Sequence, residues 1–247
     1  MMKNYGAFNL RHLAKGIKYI NNLKPEELGI TANQVKVLKS WLKVTGLSDG
    51  KKLTSLGSII KKYDRFLEED ITMQVLHYKI LTADKDSIWQ FIFKLDDFDK
   101  QYIMKELSDQ YDFKTDLIIA DLNTLLNMYI PKIAEKENLN KAILPLIRKQ
   151  GGFYCKREYK PNIWVALAII VNNLPELTLD KQILKLDFKT TYANFKNIFG
   201  LEYRTLEDIL HKLQEMGVIK HTEFGIEILC DYTFMECIEK AYQELEV

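Results

Sequence analysis

Apolar residues spaced three and four apart, in one segment after another, constrain this chain more than any other feature. In LRHLAKGIKYINNL (10–23), Leu10, Leu13, Ile17 and Ile20 share one helical face. Over 31–45, Val35, Leu38, Trp41 and Leu42 do the same, with Thr31 as the expected N-cap and Gly46 as the C-terminal glycine. Pro25 opens a short helix in KPEELGI (24–30) between them. Leu47, the turn Ser48-Asp49-Gly50 and KKLT (51–54) predict a small β-hairpin, and LGSIIKKY (56–63) starts a further helix. This order outlines a winged helix-turn-helix, assigned to residues 1–66.

Residues 67–140 read as a central helical bundle with helices over 71–82, 87–95, 100–111 and 114–130. Their aromatics (Tyr78, Trp89, Phe91, Phe93, Tyr102, Tyr129) fall at core spacing among acids that repel phosphate, so they are read as packing. Residues 141–247 return to a mixed pattern. Two strands flank Gly151-Gly152, helices follow over 164–174 and 190–199, and RTLEDILHKLQEMG (204–217) has Thr205 as its expected cap with Asp208 three residues on. A hairpin is expected to turn near Phe224-Gly225, and a last helix closes the chain. The fold class expected is therefore mainly α, with an N-terminal winged helix-turn-helix, a central helical bundle and a C-terminal winged-helix-like module with short β-hairpins. The second module sets Glu207, Asp208, Lys212 and Glu215 on its candidate recognition helix and Glu223 and Glu227 on its wing. That face suits a protein partner or core completion better than phosphates. With five prolines, eleven glycines and no Ser/Gly/Pro-rich linker, the modules are expected to pack together.

Charge separates the modules. The whole chain is formally +1, yet residues 1–64 carry 12 Lys/Arg against 4 Asp/Glu, net +8, while residues 65–130 carry 7 against 13, net −6. A basic N-terminal module next to an acidic middle suits contact with a polyanion. Residues 131–163 form a second, weaker basic stretch with 8 basic and 3 acidic groups. Lysine outnumbers arginine 30 to 5, which together with the abundance of Ile, Asn and Tyr points to an AT-rich genome.

Several function classes lack their residues. The segment Gly46 to Gly50-Lys51 is one residue short of a P-loop and has Lys52 at the Ser/Thr position. HExxH, GxSxG, GxGxxG and metal-ligand spacings are absent from the sequence. The histidines (12, 77, 211, 221) are dispersed, and His77 is read as a satisfied, partly buried side chain. Glu68-Glu69-Asp70 and Asp96-Asp97 with Asp99 have the chemistry to hold a divalent cation, but acids at helix starts are ordinarily solvated and favoured by the helix dipole. Cys155, Cys230 and Cys237 read as small reduced hydrophobes. No apolar run reaches 18 residues and the first twenty lack an apolar core, so a cytoplasmic, non-catalytic, cofactor-free protein is expected.

The candidate nucleic-acid-binding residues are Arg11, His12, Asn33, Gln34, Lys36, Lys39, Lys43, Lys51 and Lys52. The helix would enter a groove of double-stranded DNA, with Lys51 and Lys52 of the wing on phosphates and Arg11-His12 assisting. Lysines act as point charges, so their contacts give affinity and register, whereas Asn33 and Gln34 have the chemistry for adenine edges. Two other readings stay open: a protein–protein scaffold, and a winged-helix transcriptional regulator.

YGAFNLRH (5–12), VKVLKSWLKVTGL (35–47), LTSLGSII (53–60), FLEEDITMQVLHYKIL (66–81), SIWQFIFKLDDF (87–98) and DLIIADLNTLLNMYIP (116–131) together resemble the prokaryotic domain-of-unknown-function family numbered four thousand and seven. The likeness covers most of the first two thirds and keeps the order of elements. Where the family has a Gly-His-Glu-Thr-Phe-like run, this chain has Gly6-Ala7-Phe8-Asn9-Leu10-Arg11. The resemblance implies no activity. It does imply gene neighbours, namely sulfurtransferase-like and reductase-family proteins of DNA phosphorothioation and anti-phage defence clusters. On that basis the expected role is a DNA-directed accessory or specificity subunit.

Overall fold

A computed structural model describes residues 6–83, 87–111, 115–130, 143–173, 185–222 and 225–246 of the 247. The chain divides into two compact units, Met1–Arg157 and Glu158–Val247. It is mainly helical with small antiparallel sheets. Among the described residues, no helix is long and apolar enough to cross a membrane.

The first unit begins with α1 (Leu10–Lys18), α2 (Pro25–Leu28), α3 (Ala32–Val44) and α4 (Ser55–Tyr63). The predicted stripe of α3 is the one buried: Val35, Leu38, Trp41 and Leu42 are all within the core, against α1. Each such side chain contributes about 1.5–3 kcal/mol by leaving water. α4 comes so close to Leu47 that a Cβ at Gly57 would stand 2.0 Å from the Leu47 carbonyl oxygen, a contact only glycine permits. Then follow α5 (Asp70–Thr82), α6 (Ile88–Phe93), β1 (Asp97–Phe98), α7 (Lys100–Tyr111), α8 (Thr115–Tyr129), β2 (Ile147–Gln150) and β3 (Phe153–Lys156). α5 is buried over ten of its residues, among them His77. The His77 Nδ1 lies 2.8 Å from the Tyr129 hydroxyl, and its ring sits edge-on to Phe93 and Tyr129. His77 is thus more deeply buried than expected, and its hydrogen bond accounts for its polarity.

The hairpin expected over 47–54 is shorter than a pair of strands: one antiparallel bridge, Ser48↔Leu53, with Thr54 N–H donating to the Leu47 carbonyl at 3.1 Å. The reason is local. Ser48 Oγ accepts from Gly50 N–H (2.9 Å), and Asp49 Oδ1 accepts from Lys51 and Lys52 N–H (2.8 and 2.9 Å), which closes a tight turn. Thr54 then caps α4 through Gly57 N–H (3.0 Å), so the chain becomes helical before a second strand can extend. The two-residue β1, too short to leave a periodic signal, adds to β3 and gives a sheet of order β1-β3-β2.

The second unit holds α9 (Ile163–Asn172), β4 (Lys185–Leu186), α10 (Phe188–Phe199), α11 (Tyr203–Glu215), β5 (Ile219–Thr222), β6 (Gly225–Ile228) and α12 (Phe234–Gln243). α9 is buried continuously from Trp164 to Ile170 and packs against α12. The sheet order is β4-β6-β5. The N-cap of α11 is Glu202 rather than Thr205, three residues earlier than expected, and the Tyr203 ring that opens the helix packs against Phe188 and Tyr192. Glu227 is buried and pairs with Lys220 at 4.0 Å, so it does not project from a wing. Glu223 and Phe224 lie outside the described residues.

Candidate nucleic-acid interface

α3 is fixed at its start by a capping box: Thr31 Oγ1 accepts from Gln34 N–H (3.3 Å) and Gln34 Oε1 accepts from Thr31 N–H (2.8 Å). At about 100° per residue, Lys36, Lys39 and Lys43 fall within an arc of roughly 60°, and Ser40 and Asn33 widen it to about 120°. All three lysines and Asn33 are exposed. The Ser40 hydroxyl folds back on its own helix, donating to the Lys36 carbonyl at 3.2 Å.

The stripe continues onto the turn. Gly50 has a φ of +101°, a conformation that favours glycine. A Cβ placed there would lie 3.4 Å from Lys43 Cε and 3.8 Å from its Nζ, so the end of the Lys43 side chain rests on the turn. Lys51 and Lys52 are exposed beside it. Within this group Asp49 is held below the usual carboxylate range, first by the N–H groups of Lys52 and Lys51 and further by their charges. It therefore keeps a negative charge among five cations.

Gln34, His12 and Arg11 sit differently. Gln34 is roughly 160° around the helix from Lys36. Together with His12 it lines a cavity of about 260 Å³, walled by Phe8, Asn9, Val37 and Trp41. Phe8 meets Trp41 edge-on at 4.8 Å, and Trp41 Nε1 donates to the Gly6 carbonyl at 3.2 Å. Burial pushes the His12 imidazole below its ordinary value, and the Lys15 charge adds to this, so it is neutral at pH 7. His12 thus offers no cation to a phosphate, while Arg11 is exposed on α1. The sequence carries no signal for this cavity, because Phe8 and Trp41 are 33 positions apart.

Parts of the acidic runs enter local contacts. Asp64 accepts from Glu68 and Glu69 N–H (2.9 and 3.0 Å) and from the Thr72 hydroxyl. Asp96 pairs with Lys156 at 3.7 Å, and Asp99 accepts from Tyr102 N–H at 2.8 Å. Among the described residues, no group of three or more His, Cys, Asp or Glu could hold a metal ion. The cysteines are free: Cys237 is buried, with its thiol pushed up to about 12, while Cys155 and Cys230 are half-buried.

A family model described as "Protein of unknown function (DUF4007)" matches residues 7–229, well into the last third of the chain. No curated protein matches the sequence. Among solved structures, the chain is similar to the one titled "Magnesium ion-bound SspB crystal structure". The TM-score is 0.71 at 13% identity, covering 98% of this chain and 86% of that one, which speaks for the fold alone.

Proposed function

We propose, from the premise that this chain belongs to the family described as Protein of unknown function (DUF4007), that it is a non-catalytic DNA-binding accessory or specificity subunit of a prokaryotic DNA phosphorothioation or anti-phage defence system. The observation that carries the reading is the continuous cationic surface formed by Lys36, Lys39 and Lys43 on one arc of α3 with Lys51 and Lys52 on the adjoining turn. Ammonium groups on flexible stems neutralise phosphates without reading bases. Such a surface therefore gives duplex affinity with strong salt dependence and little sequence discrimination. The reading treats α1–α4 as a helix-turn-helix with a reduced wing. It treats β4–α10–α11–β5–β6 as a winged-helix module, a view supported by the sheet order β4-β6-β5. Partners from the same gene cluster follow from the family resemblance, and double-stranded DNA is the ligand the cationic surface suits.

SspB is titled as bound to magnesium. That magnesium is a feature of SspB, and among the described residues of this chain no group of three or more His, Cys, Asp or Glu could hold a metal ion.

Binding to plain and phosphorothioated duplexes at two salt concentrations tests the proposal. Wild type binds, and Lys36/Lys39/Lys43→Glu loses most of the affinity and flattens the salt slope by about one per lost phosphate contact. Equal binding by wild type and variant, or by neither, removes DNA contact through α3. Nicking of supercoiled plasmid in magnesium would overturn the non-catalytic part.

A second reading, a protein–protein scaffold, is favoured by the second unit alone. α11 exposes Asp208, Lys212 and Glu215, and Tyr203, Met216 and Leu229 are exposed apolar groups on the same unit. A mixed surface of this kind suits a protein partner. Co-purification with cluster neighbours that survives the α3 substitutions would support it.

A further inference from the structure

The β2–β3 hairpin carries chemistry that the α3 stripe lacks. From residue 138 to 157 the sequence has five basic residues and no acidic one. Two of the chain's five arginines, Arg148 and Arg157, stand there against a background of 30 lysines. Arginine in a lysine-rich chain marks positions where a planar fork of donors is wanted rather than charge alone.

Strand geometry sorts the side chains. The register runs from Ile147↔Lys156 to Gln150↔Phe153, leaving Gly151-Gly152 as a two-residue loop. Side chains alternate between faces. Ile147 and Tyr154 share the inner face, both buried, with Tyr154 stacked on Phe98 at 5.4 Å. Arg148, Gln150 and Phe153 share the outer face. Arg148 and Gln150 are exposed, and Phe153 is 55% exposed, a large apolar ring kept in water at the tip. Lys149, opposite Tyr154, is exposed on the other face. A Cβ added at Gly151 or Gly152 would meet nothing within 4 Å, so the loop stands clear of its surroundings. The base is anchored: Lys156 Nζ donates to the Phe93 carbonyl at 2.8 Å, and Arg157 N–H donates to the Leu146 carbonyl at 2.8 Å. Asp97, opposite Cys155, is an exposed acid on the outer face in the same cross-strand row as Arg148, two rows from the Gln150↔Phe153 pair at the tip.

A two-stranded ribbon is one of two protein shapes the major groove admits, and past the Phe98↔Tyr154 pair only β2 and β3 of the three-stranded sheet continue, through Gln150↔Phe153 to the loop. Arginine pairs with guanine O6 and N7, glutamine with adenine N6 and N7, and an apolar ring contacts the thymine methyl. We propose that the β2–β3 hairpin enters the major groove of duplex DNA and reads base edges with Arg148, Gln150 and Phe153. The inference rests on the DNA-directed reading above and adds to it the sequence discrimination that lysine contacts do not supply.

Selection from a randomised duplex pool by the full chain tests it, with three variants alongside. Wild type enriches a sequence. Arg148/Gln150/Phe153→Ala melts at the wild-type temperature, because these side chains are in water, and enriches none while still binding bulk duplex. Arg148→Lys keeps charge and salt slope but loses about tenfold discrimination at one base pair, the loss of one bidentate contact. Lys36/Lys39/Lys43→Glu loses bulk affinity. If the alanine variant enriches the same sequence as wild type, or if wild type enriches nothing, the hairpin does not read bases, and the α3 reading survives through its own variant. Preference of wild type for single strands over duplex would also overturn groove entry, since a stacking Phe153 would explain it instead. If the α3 variant binds like wild type while the hairpin variant does not, the α3 reading falls and the hairpin remains.

Discussion

Lys43 lies along the turn that follows its own helix: a Cβ added at Gly50 would sit 3.4 Å from Lys43 Cε and 3.8 Å from Nζ. The contact joins two groups of cations that are separate in sequence. It also makes the turn geometry a determinant of where the Lys43 charge is displayed.

Gly50→Ala therefore has two effects. A side chain at φ +101° is strained and costs about 1–2 kcal/mol. It also displaces the Lys43 arm, so duplex affinity at low salt falls severalfold while the variant remains folded. Thermal melting and a binding titration, run on one preparation, check both.

Gly57→Ala has a harsher outcome. Its Cβ would stand 2.0 Å from the Leu47 carbonyl oxygen, a backbone atom with little room to yield. A loss of at least about 3 kcal/mol is expected, by analogy with overpacked cores. A lowered denaturation midpoint for the first unit, or failure to accumulate folded protein, checks it.

Asp121, buried on α8, has its carboxyl pushed up to about 6 by burial. Its protonated form is favoured in the fold, so its contribution is full below about pH 4 and is lost as pH rises through about 6. Asp121→Asn should match wild type near pH 4. At pH 7 it should be more stable by about 1–2 kcal/mol, the partial hydration of the carboxylate keeping the gain below the full linkage value. Melting from pH 4 to 7.5 reads the divergence.

His12 gives the opposite sign. Burial, with Lys15, lowers its folded value, so the fold favours the neutral ring. That contribution is complete above the unfolded value of about 6.5 and is lost as pH falls. The stability difference between wild type and His12→Gln should shrink as pH drops from 7.5 to 5.5. Duplex binding above pH 7 should be the same in both, because a neutral ring contributes no charge to it. A His12-dependent gain in binding at pH 7.5 would contradict this assignment.

The sequence by itself determined the local structure. The Val35–Leu38–Trp41–Leu42 stripe, the Thr31 cap and Gly46 set α3 and its buried face, and hence which lysines stand in water, because periodicity and end signals act within a few residues. Gly151-Gly152 likewise set the two strands around it. Tertiary structure decided what distant segments share. It made Gln34 and His12 walls of one cavity with Phe8 and Trp41. It also paired β1 with β3 across more than fifty residues. Those outcomes depend on packing between side chains far apart in the chain, and a one-dimensional pattern contains no term for that.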